Sequence, residues 1–152
     1  MTEAKQKREE REEYFLGEIY KSSKMGADAI ISLLPHIKED GLRSVVTMQL
    51  DGYEKYAARA AAALEARGLA AKQENLVTRL SSRAGIAINT LLDSTLSHIA
   101  ELLIEGSNMT ITEMTRLLND HEARGKSKDA VRLANEVVRF EEHNLEMLRR
   151  YL

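Results

Sequence analysis

Apolar residues recur along this chain at intervals of three and four, and nowhere at a sustained interval of two. The first spacing lines one side of an α-helix and the second one face of a strand, so the pattern predicts helices alone. Punctuation falls at three places. Pro35, followed by KEDG (38–41), separates a first helix from a second. ARGLAAKQEN (66–75) separates the second from the third and places Gly68 at C′, where helices often turn left-handed. EARGKSKD (122–129) precedes the fourth and offers Ser127 as its N-cap, with Asp129 in the first turn. The expected helices span 4–34, 41–67, 74–121 and 128–151.

The third segment is too long for one straight rod in a bundle of such helices. Its apolar face also changes direction: Leu80, Ala84, Leu91, His98 and Leu102 share one side, whereas Met114, Leu117 and Leu118 lie about a third of a turn away. A kink or break near Gly106–Ser107 is therefore expected. An internal repeat supports two helical hairpins. At an offset of 84 residues, IYKSSKMGADAIISLL (19–34) matches LIEGSNMTITEMTRLL (103–118) at Ser23/Ser107, Met25/Met109, Leu33/Leu117 and Leu34/Leu118.

Composition narrows the function classes. A chain of 152 residues is expected to form one domain, 14–152, behind a charged N-terminal extension, 1–13. Lys plus Arg total 22 against 24 Asp plus Glu, which leaves no basic footprint for nucleic acid. With no cysteine, disulfides, thiolate metal sites and cysteine nucleophiles are excluded. No run of apolar residues reaches membrane-spanning length, and MTEAKQKREEREE lacks the apolar core of a secretory signal. No membrane association and a cytoplasmic location are the expectation. KQKREEREE (5–13) alternates charge sign as a solvated helix does, with a partner-docking arm based on Tyr14 and Phe15 as the alternative. Gly26, Gly52, Gly85 and Gly106 interrupt the helical stripes, which suggests close helix approach or, beside ARAAAAL (58–64), room for an oligomer contact.

The two hairpins, together with QLDGYEKYA on the second helix and RFEEHNLEML on the fourth, resemble the ferritin-like superfamily of four-helix bundles. More closely, MGADAIISLLP, SHIAELLIEGSNM and FEEHNLEMLRRYL resemble a group of uncharacterised bacterial helical proteins of that shape, over roughly residues 22–152. The resemblance implies an antiparallel four-helix bundle and carries no established activity.

A ferritin-type di-iron centre takes one inward Glu from each of two helices and a Glu-x-x-His pair from each of the other two. Carboxylates bridge and neutralise the ions while neutral imidazoles complete the coordination. Helical phase decides which residues here could serve. On the fourth helix the apolar stripe through Leu133, Ala134, Val137, Phe140, Leu145 and Leu148 turns Glu142, His143 and Glu146 away. It brings Glu141 inward, with Asn144 where the histidine would stand. On the second helix Tyr53-x-x-Tyr56 takes the place of Glu-x-x-His. The first helix offers Ser23 and turns Glu18 off the stripe, and the third is expected to put Thr95 and His98 inside, with Glu105 nearer than Glu101.

One ligand of six, Glu141, is thus in place, and no cofactor is expected. The inward polar set is Ser23, Gln49, Tyr53, Tyr56, Thr95, His98, Glu105, Glu141 and Asn144. It reads first as a hydrogen-bonded network that fixes helix register. Alternatives are a small-molecule pocket, or an iron or manganese site on Glu141, His98 and Glu105. No Gly-rich phosphate loop, Ser-His-Asp set or Cys-His pair is present. The expectation is a non-catalytic, ferritin-like bundle acting as a structural or protein-interaction module, as a homo-oligomer and most simply a dimer. The rival is a metal-binding ferritin-like protein or oxidoreductase.

Overall fold

The computed structural model describes residues 2–69, 94–120 and 128–152. Expectations for Leu80, Ala84, Gly85, Leu91 and Ser127 lie outside the described residues. Four helices carry the rest: α1 (Glu3–Leu33), α2 (Asp40–Glu65), α3 (Leu96–Asn119) and α4 (Lys128–Arg149), with a 3-10 turn at Leu34–His36. There is no strand among the described residues.

Local chemistry sets the helix limits. Thr2 caps α1, its hydroxyl accepting from the Lys5 N–H at 3.3 Å, and the helix runs unbroken from the charged extension into the core segment. Pro35 cannot supply the N–H that a longer helix would need, so the chain tightens into the 3-10 turn. Glu39 then caps α2 with both carboxylate oxygens, accepting from the N–H groups of Gly41 and Leu42 at 3.0 and 2.6 Å. At the far end the Leu69 N–H reaches the Leu64 carbonyl and the Gly68 N–H the Glu65 carbonyl. Gly68, at φ +73°, adopts the left-handed conformation that this stop requires.

The third helix departs from expectation. Ser94 and Thr95 are not helical, and Thr95 is the N-cap of α3, its hydroxyl accepting from the His98 N–H at 3.3 Å. The expected 74–121 segment is therefore not one continuous helix, since it is non-helical at Ser94–Thr95. From Leu96 to Asn119 the helix continues through Gly106 and Ser107 without interruption.

α1 packs along α2 and α3 along α4, while α1 also touches α3 and α2 touches α4. Two apolar clusters form the core. One joins Phe15, Leu16 and Ile19 of α1 to Ala60 and Leu64 of α2, Met114 and Leu117 of α3, and Leu133, Ala134 and Val137 of α4. The other joins Ile30 and Leu33, Leu42 and Val46, Ile99 and Leu103, and Leu148. Residue numbers rise from the first cluster to the second in α1 and α4, and fall in α2 and α3. The two pairs therefore run in opposite directions, and α2 ends beside the first cluster whereas α3 begins beside the second. Ion pairs join Arg67, in the turn after α2, to Glu12 of α1 and Arg59 of α2 to Glu136 of α4 at 2.7 Å. Such exposed pairs contribute at most about 1 kcal/mol each, so the apolar packing carries the assembly. No described helix is long and apolar enough to cross a membrane.

Candidate functional site

Between the two clusters the stripes of all four helices turn polar. Ser23 on α1, Gln49 and Tyr53 on α2, Ser107 and Thr110 on α3, and Glu141 and Asn144 on α4 are all buried. Each occupies an inward helical position, and Ala27, Ala57, Leu103, Leu145 and Leu148 fill such positions one turn above or below them. The layer is thus built into the heptad-like stripes themselves.

Glu141 is its centre, with 0% of its surface exposed. Asn144, one turn on, donates from Nδ2 to Glu141 Oε1 at 3.2 Å. The hydroxyls of Tyr53 and Ser107 face the same carboxyl and favour its charged form. Neither closes a hydrogen bond onto Oε2, which stands without a partner, as does Ser107 Oγ. Loss of water dominates: burial pushes the Glu141 carboxyl up to about 7 against those three donors. The Tyr53 hydroxyl is held well above its ordinary value, chiefly by burial and then by the Glu141 charge.

Glycine makes this geometry possible. The Tyr53 ring lies so close to Gly26 of α1 that a Cβ there would stand 2.6 Å from Cδ1 and Cζ. The next residue back, Gly52, is covered by the Phe140 ring of α4. Tyr53 and Phe140 meet edge to face at 5.0 Å and 85°. With its ring wedged between α1 and α4, Tyr53 sends its hydroxyl across to Ser107 and Glu141.

The nine residues expected inward divide. Ser23, Gln49, Tyr53, Glu141 and Asn144 are buried in or beside the layer. Tyr56 is half-buried on the flank, against Phe140 at 5.2 Å and beneath Lys55 and Arg59. Three placements are corrected. Thr95 is exposed at the cap; His98 lies in the first turn with 36% of its side chain exposed, 3.8 Å from Glu101; and Glu105 is exposed. The buried positions of α3 are Ile99, Ala100, Leu103, Ser107, Thr110, Met114 and Leu117, a stripe one residue out of step with the expected one.

Ser107 and Thr110 were not among the expected inward residues. The Ser23/Ser107 match in the internal repeat pointed to the first, because both serines fall in the layer. Glu18 is buried too, beside Lys21 at 3.4 Å, although phase turned it off the stripe. It lies one turn or more from Ser23, at the level of the first apolar cluster.

These donors do not suit a di-iron centre. Among the described residues the layer supplies a single carboxylate and no imidazole, too little negative charge for two cations. Glu141, His98 and Glu105 do not come together, and no group of three or more His, Asp or Glu able to hold a metal ion occurs among the described residues. Comparison with family models, with curated proteins and with solved structures found no match.

Proposed function

We propose that this chain is a ferritin-like helical bundle without di-iron chemistry, acting as a structural or protein-interaction module. The carrying observation is the composition of the layer. Ser23 and Ser107, related by the internal repeat, stand on the two helices that would each supply a lone glutamate, and Glu141-x-x-Asn144 stands where Glu-x-x-His belongs. A ferritin-like topology accords with helix directions that leave the end of α2 and the start of α3 at opposite ends of the bundle.

What remains for function is the surface. It carries isolated large apolar side chains, Tyr14, Ile31, Met48, Met109 and Leu152, among balanced charges. A cytoplasmic homo-oligomer, most simply a dimer, that binds neither membrane nor nucleic acid is the reading that fits. The test is elemental analysis of protein expressed with iron and manganese supplied, paired with light scattering. Substoichiometric metal and a mass of two chains are expected. Stoichiometric iron or manganese that disappears in Glu141→Ala would sink the proposal in favour of a metal-binding ferritin-like protein or oxidoreductase.

A further inference from the structure

Among the described residues, four polar atoms of the layer have no hydrogen-bond partner: Ser23 Oγ, Gln49 Nε2, Ser107 Oγ and Glu141 Oε2. They come one from each helix, and each belongs to a side chain at least nine-tenths buried. An orphaned buried group costs about 1–3 kcal/mol, and more when charged. Four together, in stripes that apolar side chains could fill, call for a partner of one chemical kind.

Two of them flank the Tyr53 ring, one turn to either side, and two face its hydroxyl. Tyr53 lies against Gly26, one turn from Ser23. Gln49 precedes Tyr53 by one turn on the buried side of α2. The Tyr53 hydroxyl reaches toward Ser107, Glu141 and Asn144.

Chemistry selects the partner. Glu141 Oε2 accepts, Gln49 Nε2 donates, and each serine hydroxyl does either. A cation would suit the oxygens but would face the Gln49 N–H donors. An anion would suit Gln49 but would face Glu141. A neutral molecule that both donates and accepts suits each of the four, and the smallest is water, which in protein interiors typically makes about three such bonds.

We infer that the layer is a binding site for internal water, held between Glu141 Oε2 and Ser107 Oγ beside the Tyr53 hydroxyl, with Ser23 Oγ and Gln49 Nε2 extending the site one turn to either side. Bound there, water solvates the carboxylate of the layer and links α3 to α4. The inference rests on the metal-free reading of the layer, and metal analysis of the same samples separates the two. Stoichiometric iron or manganese would refute that reading, whereas the outcomes below bear on water alone.

The experiment is water oxygen-17 relaxation dispersion on the full chain, which counts waters held longer than the protein tumbles. It compares wild type, Ser107→Ala and the double variant Ser23→Ala/Ser107→Ala, with circular dichroism confirming the helix content of each. A long-lived water in the wild type, with an amplitude that falls by about one water per chain in the double variant, is expected. Equal amplitudes in wild type and both variants, or none in the wild type, overturn the proposal. Serine to alanine removes only a hydroxyl, and Ser107→Ala alone provides the readout if the double variant does not fold. Unfolding midpoints in sodium, potassium and choline chloride at equal ionic strength are expected to coincide. A shift specific to sodium or potassium would replace water by a cation and overturn the inference as well.

Discussion

The ring of Tyr53 lies against the backbone of Gly26, at a distance that admits no side chain on α1. This contact fixes how closely α1 and α2 approach and where the Tyr53 hydroxyl arrives. Gly26→Ala would drive a methyl into the ring, and Tyr53 is held from its other side by Phe140, so it cannot swing away freely. Overpacking costs roughly 1–3 kcal/mol, against which alanine returns at most about 1 kcal/mol of helix propensity. Net destabilisation is expected in urea unfolding. Gly106→Ala, where a Cβ meets nothing within 4 Å, should instead gain up to about 1 kcal/mol. Equal effects at the two sites would show that the Tyr53 contact is not a constraint.

Glu141 makes stability depend on pH in an unusual direction for a carboxylate. Its folded value of about 7 lies above the ordinary 4.5, so between those limits the folded chain keeps a proton that the unfolded chain has lost. Stability contributed by the protonated group is complete below about 4.5, declines as pH rises toward 7 and is lost above it. The full span corresponds to roughly 3 kcal/mol. Glu141→Gln keeps the shape and removes the titration. Relative to wild type it should gain stability progressively from pH 5 to pH 8, as read from urea midpoints. A constant difference across that range would contradict the burial of an uncompensated charge.

Thr95 opens α3 as its cap, and its worth is local. Thr95→Ala should cost about 1 kcal/mol, Thr95→Val about the same despite its matching shape, and Thr95→Ser little. If valine proved neutral, the methyl rather than the hydroxyl would be what matters at this position.

That residue also shows where sequence reasoning reached and where it stopped. The bundle class, the apolar stripes of α1, α2 and α4, and the split between inward Glu141 and outward Glu142 and His143 all follow from helical spacing. No neighbour had to be known. The third helix failed because its phase was carried forward from Leu80 and Leu91 through a chain that is not helical at Ser94–Thr95. A cap resets the phase: the buried stripe passes through Ile99, Leu103 and Ser107 rather than His98, Leu102 and Glu105. Thr95 followed by the apolar-periodic segment from Leu96 was the signal available for that restart. The burial of Glu18 was illegible for another reason, since phase reports which way a side chain leaves its helix and not what covers it there.

Tyr53 and Glu141 belong to different helices, and their coupling measures how far the layer acts as a unit. The Tyr53 hydroxyl favours the ionised form of Glu141. Removing it in Tyr53→Phe should therefore raise the Glu141 value further and move the pH-dependent loss of stability to higher pH. A hydrogen bond to a charged group is worth about 1.5–3 kcal/mol and one between neutral groups about 0.5–1.5. The coupling between Tyr53→Phe and Glu141→Gln in a double-mutant cycle should thus be larger at pH 8, where Glu141 is charged, than at pH 5, where it is not. A coupling that stays the same at both pH values would mean that the hydroxyl does not sense the charge. In that case Asn144 and Ser107 alone would be the donors that offset Glu141's burial.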